Sequence, residues 1–210
     1  MKIVPGMKYI FFIVVFSLLL RTAFSGELLR NGDFETGDVT GWKYWETYPW
    51  DGDGAPVELP AHISIAVPGT LGTPVPPTTS GSFAMAQPVG THGTARGGLY
   101  QEVRVIMNTP SILTGHIAFF GDDIGDVTFI GILDGVWNPA FAFTTPNKNS
   151  ISGNLSASWQ EISLMIIPSK DVITIFTETR QDWMHGYVAG WYDNLSLKPV
   201  PESTKLTQSP

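Results

Sequence analysis

Six side chains in three turn-rich stretches of the sequence have the chemistry of a ligand-binding surface. They are Trp45, Trp50, Trp137, Asp182, Trp183 and Tyr187. An indole or phenol ring is rigid and amphipathic, so it can stack on the C–H face of a sugar ring while a nearby carboxylate or amide binds the hydroxyl groups. The same rings could instead attach long loops to the ends of the fold. We expect at least one of the four tryptophans to be exposed beside a groove, with Asp182, Gln181 or Asn138 as polar partners.

The remaining tryptophans are expected to be structural. Trp42 follows Gly41, and Trp159 opens an apolar strand. Trp191 has the same strand parity as Leu195 and Leu197, which predicts that the three side chains share one face. We therefore assign all three tryptophans to the core.

Sequence patterns for catalysis are weak. The four histidines are scattered without the spacing of a zinc site, and neither a nucleophile elbow nor a phosphate-binding loop is present. The densest acidic cluster, Asp122, Asp123 and Asp126, lies between two apolar runs, where Asp is common in turns. Paired carboxylates could act as acid and base in glycoside hydrolysis or form a second cation site, but a hairpin turn is the preferred interpretation. The sequence predicts a protein without catalytic activity.

The elements that must position these side chains are β-strands. Leu99, Val103 and Val105 lie on one face of a predicted strand, and Tyr100 and Glu102 lie on the other. The same alternation recurs at 162–166, 172–176 and 194–197. Glycine- and proline-containing turns separate about nine or ten such segments. This pattern predicts an all-β fold, either a two-sheet antiparallel sandwich or a barrel.

Composition excludes several classes of function. The chain has 12 Lys+Arg and 19 Asp+Glu among 210 residues, for a net charge of −7. An acidic protein is a poor partner for nucleic acid or for an anionic membrane surface. There is no cysteine, which excludes disulfides, thiolate zinc sites and cysteine nucleophiles.

Residues 1–25 have the pattern of a secretory signal peptide. Lys2 and Lys8 precede an apolar run over 9–20, and Ala23 and Ser25 supply small residues at alternate positions. We expect cleavage after Ser25, a single domain over 26–199 and a flexible tail over 200–210. An uncleaved anchor is the alternative, but the apolar run is shorter than the ~20 residues that span a bilayer. The mature protein is therefore expected to be secreted, extracellular or periplasmic, without stable membrane insertion.

Two motifs at opposite ends of the predicted domain carry a family resemblance. Residues 31–35 read N-G-D-F-E and are followed by Gly41-Trp42, while residues 193–197 read D-N-L-S-L. This pair resembles the CenC-type carbohydrate-binding modules of families 4 and 9, with relatives in family 22, in the galactose-binding-like superfamily. The resemblance implies a two-sheet antiparallel jelly roll that binds a polysaccharide or oligosaccharide without catalysis.

The same two motifs contain Asp33, Glu35 and Asp193. If the first and last strands pair antiparallel, residues 28–29 run beside residues 195–197 and the three carboxylates come close together. Ca²⁺ takes about 6–8 oxygen ligands, and the resemblance implies a structural calcium at this position. The alternative is that Asp33 and Glu35 are ordinary turn residues and that Asp193 binds backbone amides.

The expected function is therefore non-catalytic binding of a glycan by a secreted domain. One alternative is an exported surface or matrix protein that uses the same fold for protein contacts. A second alternative is an accessory protein of a glycan-active hydrolase. Glycan binding, protein capture and product release from polysaccharide distinguish the three.

Overall fold

The structure, a computed structural model, describes residues 26–47, 64–66, 78–79, 81, 84–89, 95–121, 125–142, 144–152, 158–181 and 188–200. These residues form one helical turn, Pro139–Ala142, and ten strands. The strands are β1 (Lys43–Thr47), β2 (Ser64–Ala66), β3 (Ala84–Val89), β4 (Ala95–Arg104), β5 (Ser111–Phe120), β6 (Val127–Asp134), β7 (Lys148–Ser152), β8 (Gln160–Ile166), β9 (Val172–Gln181) and β10 (Val188–Pro199). Among these described residues, no helix has the length and apolar character needed to cross a membrane.

The strands form two five-stranded antiparallel sheets. Sheet A has the order β1-β4-β9-β6-β7, and sheet B has the order β2-β3-β10-β5-β8. The eight strands from β3 to β10 are ordered β3-β10-β5-β8 in one sheet and β4-β9-β6-β7 in the other, which is the jelly-roll arrangement of two Greek keys. β1 and β2 add one edge strand to each sheet. The predicted all-β, two-sheet antiparallel jelly roll is confirmed.

The core lies between the two sheets. Along β4 the alternation is as predicted, since Leu99 and Val103 are buried while Glu102 and Arg104 are exposed. Strand β9 differs, because all its residues from 173 to 179 are buried. It is the central strand of sheet A, so its outward side chains are covered as well. The residues that cover this outer side of β9 belong to the candidate functional site.

A buried polar network crosses the core from one sheet to the other. The hydroxyl of Tyr192 on β10 lies 2.5 Å from Thr128 Oγ1 and donates to the carbonyl of Glu178 at 2.9 Å. A Cβ at Gly190 would lie 2.2 Å from Thr128 Oγ1 and 2.3 Å from Thr179 Oγ1, so only glycine leaves room for this network. Burial raises the pKa of Tyr192 well above its ordinary value. The hydroxyl therefore stays protonated and can donate.

The N-terminal segment runs along β10 without forming a regular strand. Leu28 N donates to Leu197 O at 3.0 Å, and Leu195 N donates to Gly32 O at 2.8 Å. These hydrogen bonds confirm that residues 28–29 lie beside the last strand. Backbone hydrogen bonds therefore connect the first and last segments of the described domain.

The three tryptophans assigned to the core behave differently. Trp42 is buried in the main apolar cluster, as predicted, whereas Trp159 is half-buried. The pairing of β10 with β5 contains a register shift of one residue, and such a bulge exchanges the two faces of a strand. Tyr192 consequently shares the core with Leu195, and Trp191 lies on the outer face of sheet B. The assignment of Trp191 to the same face as Leu195 is wrong, although Trp191 is fully buried.

Candidate functional site

The outer face of sheet A presents aromatic and charged side chains in rows set by strand register. Directly opposed residues of neighbouring strands point to the same face. One row crosses all five strands through Lys43, Tyr100, Phe176, Gly131 and Lys148. The row on one side of it contains Trp45, Gly98, Glu178, Phe129 and Ser150. The row on the other side contains Glu102, Thr174 and Leu133.

Trp45 reaches across a neighbouring strand to bond with the backbone of sheet A. Its Nε1 donates to the carbonyl of Thr177 on β9 at 2.9 Å, although β4 lies between β1 and β9. Gly98 on β4 makes this possible, because a Cβ there would lie 1.9 Å from that carbonyl oxygen and 2.9 Å from Trp45 Nε1. Trp45 is only 7% exposed. It is therefore not the exposed tryptophan that the sequence predicts.

Trp137, in the loop after β6, completes an aromatic cluster made of Trp45, Tyr100, Trp137 and Phe176. Its ring stacks on Tyr100, with centroids 4.7 Å apart and planes inclined by 13°. It also lies 5.0 Å from Trp45 and 5.7 Å from Phe176. Gly131 leaves room for Phe176, because a Cβ there would lie 2.4 Å from that ring. Phe176 is fully buried, whereas Tyr100 and Trp137 remain half-buried.

Trp137 thus combines the two interpretations that its sequence position allowed. It attaches a loop to the sheet, and it keeps part of its ring accessible at the surface. Tyr100 lies at the same edge of the cluster, on β4. The accessible parts of these two rings form an apolar surface next to charged side chains.

Glu102 connects the loop to the edge strand. Its Oε1 accepts a hydrogen bond from Trp137 N at 3.1 Å, and its Oε2 lies 3.2 Å from Lys43 Nζ. The hydrogen bond from the Trp137 amide, together with Lys43, holds the pKa of Glu102 below its ordinary value, and the hydrogen bond to Glu102 raises the pKa of Lys43. Lys43 Nζ lies 5.4 Å from the Tyr100 ring centroid. A carboxylate and an ammonium group thus border the exposed side of the aromatic cluster.

The loop that carries Trp137 is held at both ends. Asp134 accepts hydrogen bonds from Ser169 N at 3.0 Å and from Ser169 Oγ at 2.6 Å. Asn138 Oδ1 accepts from Ala140 N at 3.0 Å and so caps the helical turn. The side-chain carbonyl oxygen of Asn138, which was predicted to bind a ligand, therefore accepts a hydrogen bond within its own loop. A ring held in this way loses little conformational entropy when a ligand binds.

Other predicted ligand-binding residues lie outside the described residues: Trp50, Asp182, Trp183 and Tyr187. Sequence reasoning had not selected Tyr100, Glu102 and Lys43. The sequence signal that could have identified this surface is Tyr100, an aromatic side chain on the polar side of an alternating strand. That signal is weak by itself, because only the folded structure shows that the Trp137 ring stacks on Tyr100.

The three predicted calcium ligands are not gathered into one group. Asp33 and Glu35 are exposed, whereas Asp193 is fully buried. Asp193 Oδ2 accepts from Thr79 N at 2.9 Å and from Thr79 Oγ1 at 2.7 Å, and its Oδ1 accepts from Asn194 N at 2.7 Å. Within the described ranges, no set of three or more carboxylate or imidazole side chains is placed to hold a metal ion. Asp193 binds backbone amides, as the alternative expected, and calcium binding itself stays a prediction.

Comparison with known proteins identifies relatives in fold alone. No family model matches the chain, and no curated protein sequence matches it. A family 61 carbohydrate-binding module in complex with β-1,4-galactotriose has a TM-score of 0.55 at 14% identity, over 84% of this chain and 100% of that chain. An arabinose-bound α-L-arabinofuranosidase has a TM-score of 0.51 at 14% identity, over 84% of this chain and 27% of that chain. The chain has the β-sandwich fold found in carbohydrate-binding modules.

Proposed function

We propose that this protein binds a polysaccharide or oligosaccharide through the outer face of sheet A, without catalysing its breakdown. The observation that carries the proposal is the aromatic cluster on this outer face. Tyr100 and Trp137 stack on each other and stay partly accessible, and exposed apolar surface bordered by polar groups is typical of a binding site. The fold shared with a galactotriose-bound module supports the same function.

A sugar would use both parts of this surface. Its C–H face would stack on the accessible part of Tyr100 or Trp137, and its hydroxyl groups would bond to Glu102 and Lys43. Trp45 and Phe176 both pack against Trp137. Because the loop and the rings are already held in place, little of the binding free energy is lost to ordering them.

The test is a binding measurement with matched variants. We expect titration with soluble β-1,4-galactan, xylan, β-glucan and polygalacturonate to show saturable binding to at least one. Tyr100→Ala and Trp137→Ala should each weaken that binding about tenfold or more, which is about 1.4 kcal/mol. Phe141→Ala is the control, because Phe141 is 64% exposed in the same loop region but is not part of the aromatic cluster. Melting curves confirm that each variant is folded.

Three results would contradict the proposal. Folded wild-type protein that binds none of the polymers would exclude glycan binding of this kind. Unchanged affinity in both ring variants would exclude this face as the site. Release of sugar products from any of the polymers would exclude a purely binding role.

We also propose that the protein is secreted after removal of residues 1–25. The support is the charged, apolar and small-residue pattern of the sequence itself. N-terminal sequencing of exported protein should begin at Gly26. Exported material that begins at Met1 or Met7 would contradict this.

A structural calcium is the third part of the proposal. A Cβ at Gly81 would lie 2.1 Å from Glu35 Oε1, and Thr79, two residues before Gly81, donates a hydrogen bond to Asp193. Carboxylate oxygens of this kind suit Ca²⁺. The ion would bind only the folded state and would raise the melting temperature by mass action. We expect a higher melting temperature in Ca²⁺ than in chelator.

The calcium test needs two variants. Asp193→Asn should abolish the difference between calcium and chelator, whereas Asp38→Asn, which changes an exposed turn carboxylate, should preserve it. Identical melting curves for the wild type, with no metal in the purified protein, would remove calcium from the proposal.

A further inference from the structure

The two sheets of the described structure have four edge strands, and three of them are protected against pairing with a further strand. Proteins commonly protect a sheet edge with a very short strand or with charged side chains, lysine above all. The edge strand β2 has three residues, β1 contains Lys43, and β7 contains Lys148. The fourth edge strand is β8, and it differs from these three.

Most of β8 lacks such protection. Its one charged residue, Glu161, lies near its start, and residues 162–167 read I-S-L-M-I-I, without charge, proline or glycine. The strand pairs with β5 in unbroken register over seven residues, so no bulge bends this edge away. Short uncharged segments of this composition add readily to another strand. The outer edge of β8 is therefore suited to strand addition.

Exposed apolar side chains extend this edge. Met165 points outward from β8 and is 62% exposed, and Ile167 is exposed directly after the strand. A backbone hydrogen bond of 2.8 Å from Asn108 to Pro168 holds the loop 105–110 beside the end of β8. Exposed apolar side chains gathered in one region are typical of interaction sites. This region contains four of the seven large hydrophobic side chains that are exposed among the described residues: Ile106, Met107, Met165 and Ile167.

We propose that β8 pairs antiparallel with β8 of a second copy of this chain, so that the protein forms a closed two-fold dimer in solution. Each copy has one β8 edge and a two-fold axis uses it once, so the assembly stops at two copies. Copies of a chain with a net charge of −7 repel each other over most of their surface. Residues 162–169 and 105–110 contain no charged side chain, so the copies can meet there without bringing like charges together.

The inward side chains of β8 fit a pairing that is centred on Leu164. In this register Leu164 lies opposite its own copy, and Ile162 lies opposite the partner's Ile166. Ile162 and Ile166 belong to the main apolar cluster, and Leu164 packs against it. The apolar layer between the sheets would therefore continue from one copy into the other.

The outward side chains fit the same register. Met165 lies opposite the partner's Ser163, so a small side chain leaves room for a large exposed one. Glu161 lies opposite the partner's Ile167, at either end of the paired segment. Because like charges directly opposite each other destabilise a sheet, this register is favoured by the distance that it keeps between the two carboxylates.

The dimer would present both candidate glycan sites in the same direction. Opposed residues of an antiparallel pair point to the same face, so both copies of sheet A would lie on one side of the joined sheet B. Their outer faces, which carry the aromatic clusters, would then be turned the same way. A polymer that contacts both clusters would bind more tightly than one that contacts a single cluster. This consequence rests on the proposed function, whereas the dimer itself does not.

Sedimentation of the exported protein over a range of concentrations tests the dimer. We expect a species of twice the mass of the chain. Met165→Lys should raise the dissociation constant about tenfold or more, because it introduces an ammonium group into each copy of the interface. Tyr44→Lys is the matched control, because it also replaces an exposed apolar side chain by lysine, but on the edge strand β1. It should leave the dissociation constant unchanged, and melting curves confirm that both variants are folded.

A cysteine cross-link tests the register. The chain contains no cysteine, so a single introduced thiol can form a disulfide only with another molecule. Leu164→Cys would place two thiols at directly opposed positions, whose Cβ atoms are about 4.5–5.5 Å apart, close to the spacing in a disulfide. We expect a disulfide-linked dimer on a non-reducing gel after mild oxidation of dilute protein. Thr114→Cys, exposed on the neighbouring strand β5, is the control and should stay monomeric.

Several results would overturn the proposal. Folded wild-type protein that sediments as a monomer at every soluble concentration would exclude the dimer, and larger assemblies would exclude closure at two copies. Equal dissociation constants in the wild type and Met165→Lys, or equal weakening by Tyr44→Lys, would exclude β8 as the interface. Failure of Leu164→Cys to cross-link, or equal cross-linking of Thr114→Cys, would exclude the register. None of these measurements contains a glycan, so the dimer can fail while glycan binding stands, and the reverse.

Discussion

The outer faces of the two sheets each bury a tryptophan, but they use its indole differently. On sheet A, Trp45 Nε1 donates to the carbonyl of Thr177. On sheet B, Trp191 is fully buried, and its Nε1 has no hydrogen-bond partner in the described structure. Its direct neighbours in register are Ala86 and Ala118. Small neighbours make room for a large ring on both sheets, yet only one ring is bonded to the backbone.

Burial of an aromatic ring therefore does not by itself indicate a binding role. Trp191 fills space on sheet B. Trp45 fills space too, but its ring also packs against Trp137, which together with Tyr100 remains partly accessible beside charged groups. A binding role is indicated by the arrangement of several rings and charges. Substitutions of Trp45, Trp137 and Trp191 test that distinction.

The largest expected effect comes from truncating the two tryptophans that differ most. Trp191→Ala should lower the free energy of unfolding by about 3–5 kcal/mol, because it empties a buried site. Trp137→Ala should cost about 1–2 kcal/mol, because that ring is partly exposed already. Urea unfolding measures both values. Glycan affinity should change in the opposite order: Trp137→Ala should lose affinity, and the folded Trp191→Ala protein should bind normally. A loss of binding in Trp191→Ala would contradict the comparison.

A smaller effect isolates the indole hydrogen bond. Trp45→Phe and Trp191→Phe remove similar ring volume, but only the first also removes a donor from a carbonyl. Loss of that bond should make Trp45→Phe less stable than Trp191→Phe by about 1 kcal/mol or more. Chemical denaturation of the two variants measures the difference. Equal stability losses would show that the bond from Trp45 to Thr177 contributes nothing.

The smallest effect concerns the pH dependence of the loop contact. The pKa of Glu102 is lowered in the folded state, so its contribution to stability is present above the unfolded pKa of about 4.3. That contribution is lost as pH falls through the lower folded value. Glu102→Gln should therefore melt below the wild type near pH 6, and the difference in melting temperature should shrink as the pH falls below about 4.3. A constant separation at every pH would show that the carboxylate charge is not involved.

Local sequence predicted several features of the fold correctly. The alternation along β4 placed Leu99 and Val103 inside and Glu102 outside, because the period of two depends only on backbone geometry. The position of residues 28–29 beside the last strand was also predicted, on the condition that the two terminal segments pair antiparallel, and the backbone hydrogen bond from Leu28 to Leu197 agrees with it. Trp191 was assigned to the wrong face, because one extra residue in β10 reverses parity without a clear local signal.

The candidate site, like the fold, has some features that local sequence predicts and others that depend on distant parts of the chain. The sequence identified Trp45 and Trp137 as aromatic residues in turn-rich stretches, but they are separated by about ninety residues and nothing local indicates that they meet. Their contact depends on the loop after β6 folding back onto β4, where Glu102 accepts its hydrogen bond. Tyr100 and Phe176 join the cluster through strand register alone.

The fold class could be predicted from local sequence, because strand periodicity and turn residues act over a few positions and need no knowledge of partners. The sequence also determined the net charge and the supply of aromatic side chains. The fold as a whole was needed to show which rings form a surface and that Asp193 is hydrogen-bonded to Thr79. These outcomes depend on the order and register of strands far apart in the chain. Register is set by the packing of the whole sandwich, since a shift of one residue would move every side chain of a strand to the opposite face.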